Sequence, residues 1–450
     1  MVTCYSRAAA RLPQIVLSEL RRLPPSLNPR HIVIKPNWVM HETDPAYPIA
    51  ALVTDARVVD AVVRACVARF PSAERITVGD CPEQRADWPL MCRQSGLAAV
   101  IDAHRAEFPS LVEYRDLRKD VYRQADDDLV RDDSTPHGDP AGYREVELHA
   151  QSHLEPIAAQ AAQFSIHDHD TAITRQRHTA GDHRYLVCQT LLDADLVINL
   201  PKWKAHSKAG LTGALKNLVG INGDKSYLPH FRRGSPRWGG DEYSDEGRWL
   251  YWVQNNAYDL VRGTAAHRLL RPAWRTIRGI NSALRRRDHT RTTPADFYVV
   301  GGSWYGNQTL WRMIYDLNMV IQRVDRDGRL RDTPQRDYFC IVDGLISGEG
   351  DGPLHARPRD TDLLICGDDP FEVDTALAWL MGFDARRIPM LAERHQYLGG
   401  GWGQLPAGEL KIAMDDVECR LHDLAVDFHF APSPGWIGHI ERASHVANAS

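Results

Sequence analysis

The sequence predicts an α/β protein: a mostly parallel sheet with flanking helices, drawn into two lobes with large insertions. Three observations carry this. HIVIKPNW (31–38), ARVVDAVVRACVARF (56–70) and RITVGD (75–80) form a strand–helix–strand run. LVINLPKWKAH (196–206) is a short apolar run that Pro201 stops and a polar cluster follows. YFCIVDG (338–344) and TDLLICGDDPFEVDTALAWLMGFD (361–384) repeat the strand-then-helix pattern near the C-terminal end.

The elements follow in order from local chemistry. Residues 32–34 read as a buried strand ending in Lys35-Pro36-Asn37. The apolar positions of 56–70 recur at helical spacing, with Thr54 and Asp55 as caps. A second strand covers 76–78 and ends in Gly79-Asp80. From 113 to 182 the chain is rich in Asp, Arg, His and Gln and reads as an insertion with little core. A strand at 196–200 is followed by a Gly-Leu-Thr-Gly turn and a helix start. Residues 223–249, dense in Gly, Arg, Trp and acids, make a loop too long for a mere connector and read as a lid or binding element. The stretch 262–291 is basic and amphipathic, broken by Pro272. It reads as a docked helix, with contact to an anionic membrane surface as the alternative. Strands at 338–342 and 363–366 come next, the first running into a Gly/acid loop. A helix then starts at Asp369 (cap) and Pro370. The resulting segments are 1–112 (N-terminal lobe), 113–185 (polar insertion), 186–230 (central site segment), 231–300 (lid and basic insertion), 301–430 (C-terminal lobe) and 431–450 (tail).

Composition narrows the function. The chain has 450 residues, 43% hydrophobic and 25% charged, with a formal net charge of -5. That balance argues against a general nucleic-acid binder. No apolar run reaches the length of a membrane span, and MVTCYSRAAARLPQIVLSEL has no signal-peptide core, so a cytoplasmic location is expected. The eight cysteines stand singly, with neither a Cys-x-x-Cys pair nor any iron–sulfur or zinc-ribbon spacing. No Gly-x-Ser-x-Gly elbow, Walker lysine motif, His-Glu-x-x-His or dinucleotide fingerprint is present.

Two groups of polar residues fall at strand ends, where open α/β sheets bind ligands. The cationic group is Lys35, Lys202, Lys204, His206, Lys216, Lys225 and His230, with Asn37 and Asn217 as amide donors. Such a cluster suits a phosphate, diphosphate or carboxylate, and Gly210 and Gly213 would let it approach the backbone. Lys35, Asn37, Lys202, Lys204, Asn217 and Lys225 are read as binding the anion. Crowded lysines depress one another's pKa, which makes Lys216 a base or nucleophile near neutral pH, with His206 and His230 as proton shuttles. The acidic group is Asp80, Asp241, Glu242, Asp343, Glu349, Asp351 and Asp374. Of these, Asp343, Asp374 and Glu349 are candidate ligands for Mg²⁺ or Mn²⁺, the two aspartates being alternatively orienters of the lysines. Asp241 and Glu242 read as part of a solvated lid. The expected activity is isomerisation, elimination or cyclisation of an anionic small molecule in a biosynthetic pathway. A non-catalytic anion- or membrane-binding protein is the alternative from another class.

The succession IKPN (34–37), ITVGD (76–80), VINLPKWKAH (197–206), TGALKNLVGI (212–221), IVDGLISGEGDGP (341–353) and DPFEVDTALAWLMGFD (369–384) resembles the domain-of-unknown-function 362 family over roughly 32–389. LPHFRRGSPRWGGDEY and GGSWYGNQTLWRM are similar to a long-form branch of it. Some members are fused to ferredoxin-like iron–sulfur modules; this sequence lacks the cysteine-rich module. The resemblance implies motif positions and no activity. More distantly, His206, Gly210, Gly213 and Lys216 with His230 downstream are similar to a block in nickel-pincer lactate racemases. There a lysine tethers the cofactor, a histidine ligates nickel and other histidines move protons. Carried over, that likeness implies Lys216 as tether of a nickel-pincer nucleotide, His230 as ligand and His206 as acid–base group.

Overall fold

The computed structural model describes residues 2–125, 128–167, 169–245, 301–403, 410–424 and 426–442. The whole basic stretch expected at 262–291, with its membrane-contact alternative, lies in the remainder and so outside the described residues, as do 246–249 of the expected lid.

One sheet of 11 strands organises the molecule. Its strands are β1 (Val2–Ser6), β2 (His31–Pro36), β3 (Arg75–Asp80), β4 (Val112–Asp116), β5 (Leu196–Leu200), β6 (Lys202–His206), β7 (Gly210–Thr212), β8 (Asp337–Asp351), β9 (His355–Gly367), β10 (Lys411–Met414) and β11 (Val417–Arg420). Their order is β11-β10-β1-β9-β8-β5-β2-β3-β4, with β6 pairing β7 and β8. The run β8-β5-β2-β3-β4 is parallel throughout. Strands β8 and β9 form a long antiparallel ribbon that extends past the sheet. Segments 1–112 and 301–430 thus both supply strands to the same sheet.

The central strands are buried on both faces, which is why they read as continuous apolar runs rather than alternating ones. Ile32, Ile34, Ile76, Val78, Leu196 and Ile198 point to one side and join a core with α1 (Leu12–Arg22), α2 (Ala56–Arg69) and α3 (Leu97–Glu107). Val33, Val197, Cys340 and Val342 point to the other. They meet α4 (Ala214–Asn217), α5 (Leu310–Arg323) and α6 (Pro370–Leu380). Asp55 caps α2 by accepting from Arg57 N (2.8 Å), and Asp369 caps α6 by accepting from Phe371 N (2.8 Å).

Two expectations change. The Gly/acid stretch after Val342 is strand, not loop: β8 continues to Asp351, paired residue by residue with β9. The polar insertion holds more core than its composition suggests. Val112–Asp116 is an edge strand of the sheet, and Val146, Leu148, Leu154, Phe164 and Tyr185 are buried. Charged residues on the open faces of its short strands mask these few apolar positions.

From β2 the chain moves outward through β3 to β4; from β5 the sheet continues the opposite way, to β8. The adjacent carboxyl ends of β2 and β5 therefore mark a topological switch point, where such sheets open a crevice. No helix among the described residues is long and apolar enough to cross a membrane.

Candidate active site

A cavity of about 480 Å³ lies at that switch point. Lys35, Asn37, Asp80, His206, Lys208, Lys216, Asn217, Lys225 and His230 line it, with His167, His169 and His355 from other segments.

Its floor is a polar lattice at the ends of β2 and β3. Lys35 Nζ forms a buried ion pair with Asp80 Oδ1 (2.8 Å) and donates to Pro36 O (2.9 Å). Asp80 also accepts from Trp38 N (2.7 Å) and Cys81 N (2.8 Å). Asn217 Oδ1 accepts from Asn37 Nδ2 (2.9 Å), while Asn217 Nδ2 donates to Asn199 Oδ1 (2.7 Å). Asn37 Oδ1 is buried and has no donor among the described residues. Gly220 lets α4 and the following turn close on this lattice. A Cβ there would collide with Asp80 Oδ1 and stand 2.6 Å from Lys35 Nζ. Gly220→Ala should therefore cost roughly 1–3 kcal/mol, seen as a lower urea midpoint, because the pair has no room to move.

The reactive groups stand above the floor. Lys216, on the short helix α4, has no hydrogen-bond or ion-pair partner among the described residues. Burial, and then the charges of Lys225 and Lys35, push its pKa down to about 7. His206 and His230 are both held well below the usual histidine range, chiefly by burial and then by neighbouring cations such as Lys216 and Lys208. Their tautomers differ. His206 Nδ1 accepts from Lys208 N (3.0 Å) and Ala209 N (3.2 Å), so its proton sits on Nε2. His230 Nδ1 donates to Leu228 O (2.8 Å), so its Nε2 keeps a bare lone pair. One imidazole offers a proton and the other can take one.

The Lys216 shift gives a pH prediction. Between about 7 and the ordinary lysine value of 10.5, the folded chain binds fewer protons at this site than the unfolded chain. Its contribution to stability therefore rises with pH across that window and is least below it. Lys216→Met should stabilise the protein at pH 6 by on the order of 2–4 kcal/mol, less whatever the partly open position recovers from solvent, and by almost nothing at pH 10.5. Chemical denaturation at the two pH values checks this.

Several expected site residues lie elsewhere. Lys202 and Lys204 were expected to bind the anion, yet neither lines the cavity. Lys202 Nζ forms a fully buried pair with Asp343 Oδ2 (2.8 Å), and Lys204 Nζ donates to Leu52 O (2.5 Å). Lys202, Lys204 and His206 share one face of β6, but only His206, at the end of the strand, reaches the cavity; the two ammonium groups are taken up inside the protein before it. The three carboxylates expected around a metal are not brought together. Asp343 is taken up by Lys202, Asp55 N (2.7 Å) and Leu345 N (3.0 Å). Asp374 accepts from Ala214 N (2.5 Å) and Leu215 N (3.1 Å), so α6 holds the start of the helix that carries Lys216. Burial pushes its pKa up to about 7. Glu349 pairs with Arg359 (3.2 Å) and accepts from Ala431 N (3.0 Å). Among the described residues no group of three or more His, Cys, Asp or Glu side chains could hold a metal ion. Asp343 and Asp374 accept protein hydrogen bonds on both oxygens and Glu349 lies between Arg359 (3.2 Å) and Arg357 (3.9 Å), so the trio does not fit Mg²⁺ or Mn²⁺.

Three further readings are corrected. Gly213 admits protein rather than ligand: a Cβ there would collide with Asp374 and lie 2.8 Å from Leu377 Cδ1. Gly210 has φ +82°, a left-handed backbone that glycine favours, and packs against Ile388 and Trp436. Asp241 and Glu242 are buried, not a solvated lid. Asp241 accepts from Thr309 Oγ1 (2.6 Å), Gln308 N (3.0 Å) and Arg232 N (2.5 Å), tying the loop to the start of α5.

Sequence reasoning missed His167, His169, Lys208 and His355 in the cavity. Lys208 lies two residues beyond His206 in the same polar run, whereas the histidines come from segments with no strand-end signature. His167 is brought in by the loop after Phe164–Ser165, whose short strand pairs with Phe231–Arg232 just beyond His230.

A thylakoid-associated protein of Synechocystis sp. is 34% identical over 58 residues, a match covering 13% of this chain and 18% of that protein. A Thermotoga maritima protein of known structure aligns over 79% of this chain and 54% of its own, with 9% identity and a TM-score of 0.35. The lactate racemase apoprotein of Thermoanaerobacterium thermosaccharolyticum aligns over 50% of this chain and 40% of its own, with 11% identity and a TM-score of 0.25. A family model matches residues 32–127 and 130–379, and the chain accordingly belongs to that family, described as a domain of unknown function (DUF362).

Proposed function

We infer that the protein is an enzyme that moves protons on an anionic small molecule bearing a carboxylate or phosphate. The observation that carries this reading is the convergence in one cavity of an unpaired amine (Lys216), an imidazole with its proton on Nε2 (His206) and an imidazole with a bare Nε2 (His230). Acid and base of this kind, facing a ligand from two elements, suit isomerisation, elimination or cyclisation. The cavity cations Lys208, Lys216 and Lys225, added to the internally balanced Lys35–Asp80 pair, favour an anion. Asn37 Oδ1 would accept from a hydroxyl or amine on the same ligand.

The test is solvent exchange. The purified protein, incubated in deuterated water with hydroxy acids, oxo-acids and sugar phosphates, should wash deuterium into a carbon position of at least one compound class. No incorporation above a boiled control across all three classes would count against the reading.

A second reading has its own support. Lys216 is free to carry a covalent tether and His230 Nε2 is free to ligate, which fits a nickel-pincer nucleotide. Such a group would supply hydride transfer when bound, while His206 and Lys208 would still bind and protonate the substrate. Metal analysis with intact mass separates the readings. Nickel with added mass on Lys216 selects the tethered cofactor, and unmodified mass without nickel selects proton transfer by the chain's own residues.

A further inference from the structure

We propose that Lys216 is an imine-forming lysine, its Nζ condensing with the carbonyl carbon of an oxo-acid held in the cavity. This rests on reading the cavity as an acid–base site for anions and adds a substrate class: compounds with a ketone or aldehyde next to a carboxylate.

The argument starts from how the cavity lysines differ. Lys35 is spent on Asp80, and Lys208 Nζ donates to Gly301 O (2.6 Å). Lys216 Nζ alone of these three has no partner among the described residues. In its uncharged form, an amine that lines a cavity without a hydrogen-bond or ion-pair partner among the described residues is suited to be a nucleophile rather than an electrostatic clamp. Its pKa of about 7 is consistent, since a large share is free amine at neutral pH. The neighbouring cations remain to hold the carboxylate.

The two histidines supply what imine formation needs. The Lys216 nitrogen adds to the carbonyl carbon, forming the C–N bond as the carbonyl π pair moves to oxygen. His206 Nε2–H donates a hydrogen bond to that oxygen. One proton then passes from nitrogen to oxygen through the His230 Nε2 lone pair, giving a carbinolamine. A second proton follows the same route; the C–O bond breaks and C=N forms. Both amine hydrogens leave in one water molecule, and no oxidant or reductant is consumed. The imine draws electrons from the adjacent carbon, which makes a proton there easier to remove.

The experiment uses the full chain with glyoxylate or pyruvate and cyanoborohydride at neutral pH, followed by intact mass and peptide mapping. One reduced adduct per chain is expected, on Lys216, forming about ten-fold or more faster than on the exposed Lys411. Lys216→Arg should abolish it, while Lys411→Arg should leave it intact. Adducts spread evenly over the lysines would overturn the proposal. Thermal shifts with lactate and phosphate, which have no electrophilic carbonyl carbon, are run in parallel. If these anions bind and no Lys216 adduct forms, the imine is excluded and the anion site stands. If neither binds and no adduct forms, both fall.

Discussion

Asp343→Ala is expected to lower the unfolding free energy by roughly 3–5 kcal/mol, since it strands a buried ammonium. Lys202 and Asp343 are both fully buried, and the pair links β6 to β8. Asp343 also accepts from the backbone of Asp55, at the start of α2, and from Leu345, so its loss leaves two further donors unanswered. Replacing both partners, Lys202→Met with Asp343→Leu, should recover much of the loss, because desolvating an ion pair consumes most of its Coulomb gain. Urea titrations of the two variants check this. Equal stability of Asp343→Ala and the unmodified protein would show that Lys202 finds another partner or water.

Lys216→Ala is expected to weaken binding of phosphate or a small carboxylate by about 10–100-fold at pH 6, the range of one charge-assisted hydrogen bond. The pH dependence has a defined sign. With a pKa of about 7, Lys216 gains its charge as pH falls through that value, so a small carboxylate, ionised at both values, should bind the unmodified protein more tightly at pH 6 than at pH 8. By linkage a bound anion raises the lysine pKa in turn. His206 and His230, held well below the usual histidine range, stay neutral over this interval and leave the trend intact. Calorimetry with a small carboxylate at the two pH values should show the preference in the unmodified protein and a clearly smaller one in Lys216→Ala, where Asp374 beside the helix start still titrates near 7.

Much of this arrangement is legible in the sequence. The runs at 32–34, 76–78 and 196–200 are apolar because their strands are covered on both faces, so they stand out from any solvent-facing segment. Asp55 and Asp369 announce their helices because a carboxylate at an N-cap satisfies backbone N–H groups locally. Lys35, Asn37, His206, Lys216, Asn217, Lys225 and His230 meet because strand ends on one side of a parallel sheet share one crevice. What escaped depends on contacts between distant segments. Nothing near Lys202 in the sequence shows that Asp343, 141 residues on, neutralises it. Nor does local pattern reveal that Asp374 answers the N–H groups of Ala214 and Leu215 instead of a metal. Glycines were similarly ambiguous, for Gly213 and Gly220 permit close approach, and only the fold shows that the approaching groups belong to the protein.

The central claim divides the lysines by place: Lys216 acts in the cavity, whereas Lys202 serves the interior. The most direct test compares deuterium wash-in by Lys216→Ala, by the Lys202→Met, Asp343→Leu pair and by the unmodified protein, on whichever compound class exchanges. We expect the interior pair to retain exchange within a few-fold and Lys216→Ala to lose on the order of 10²–10⁴-fold, the usual worth of a positioned acid or base. Full exchange by Lys216→Ala, or its loss in a folded interior variant, would contradict the assignment.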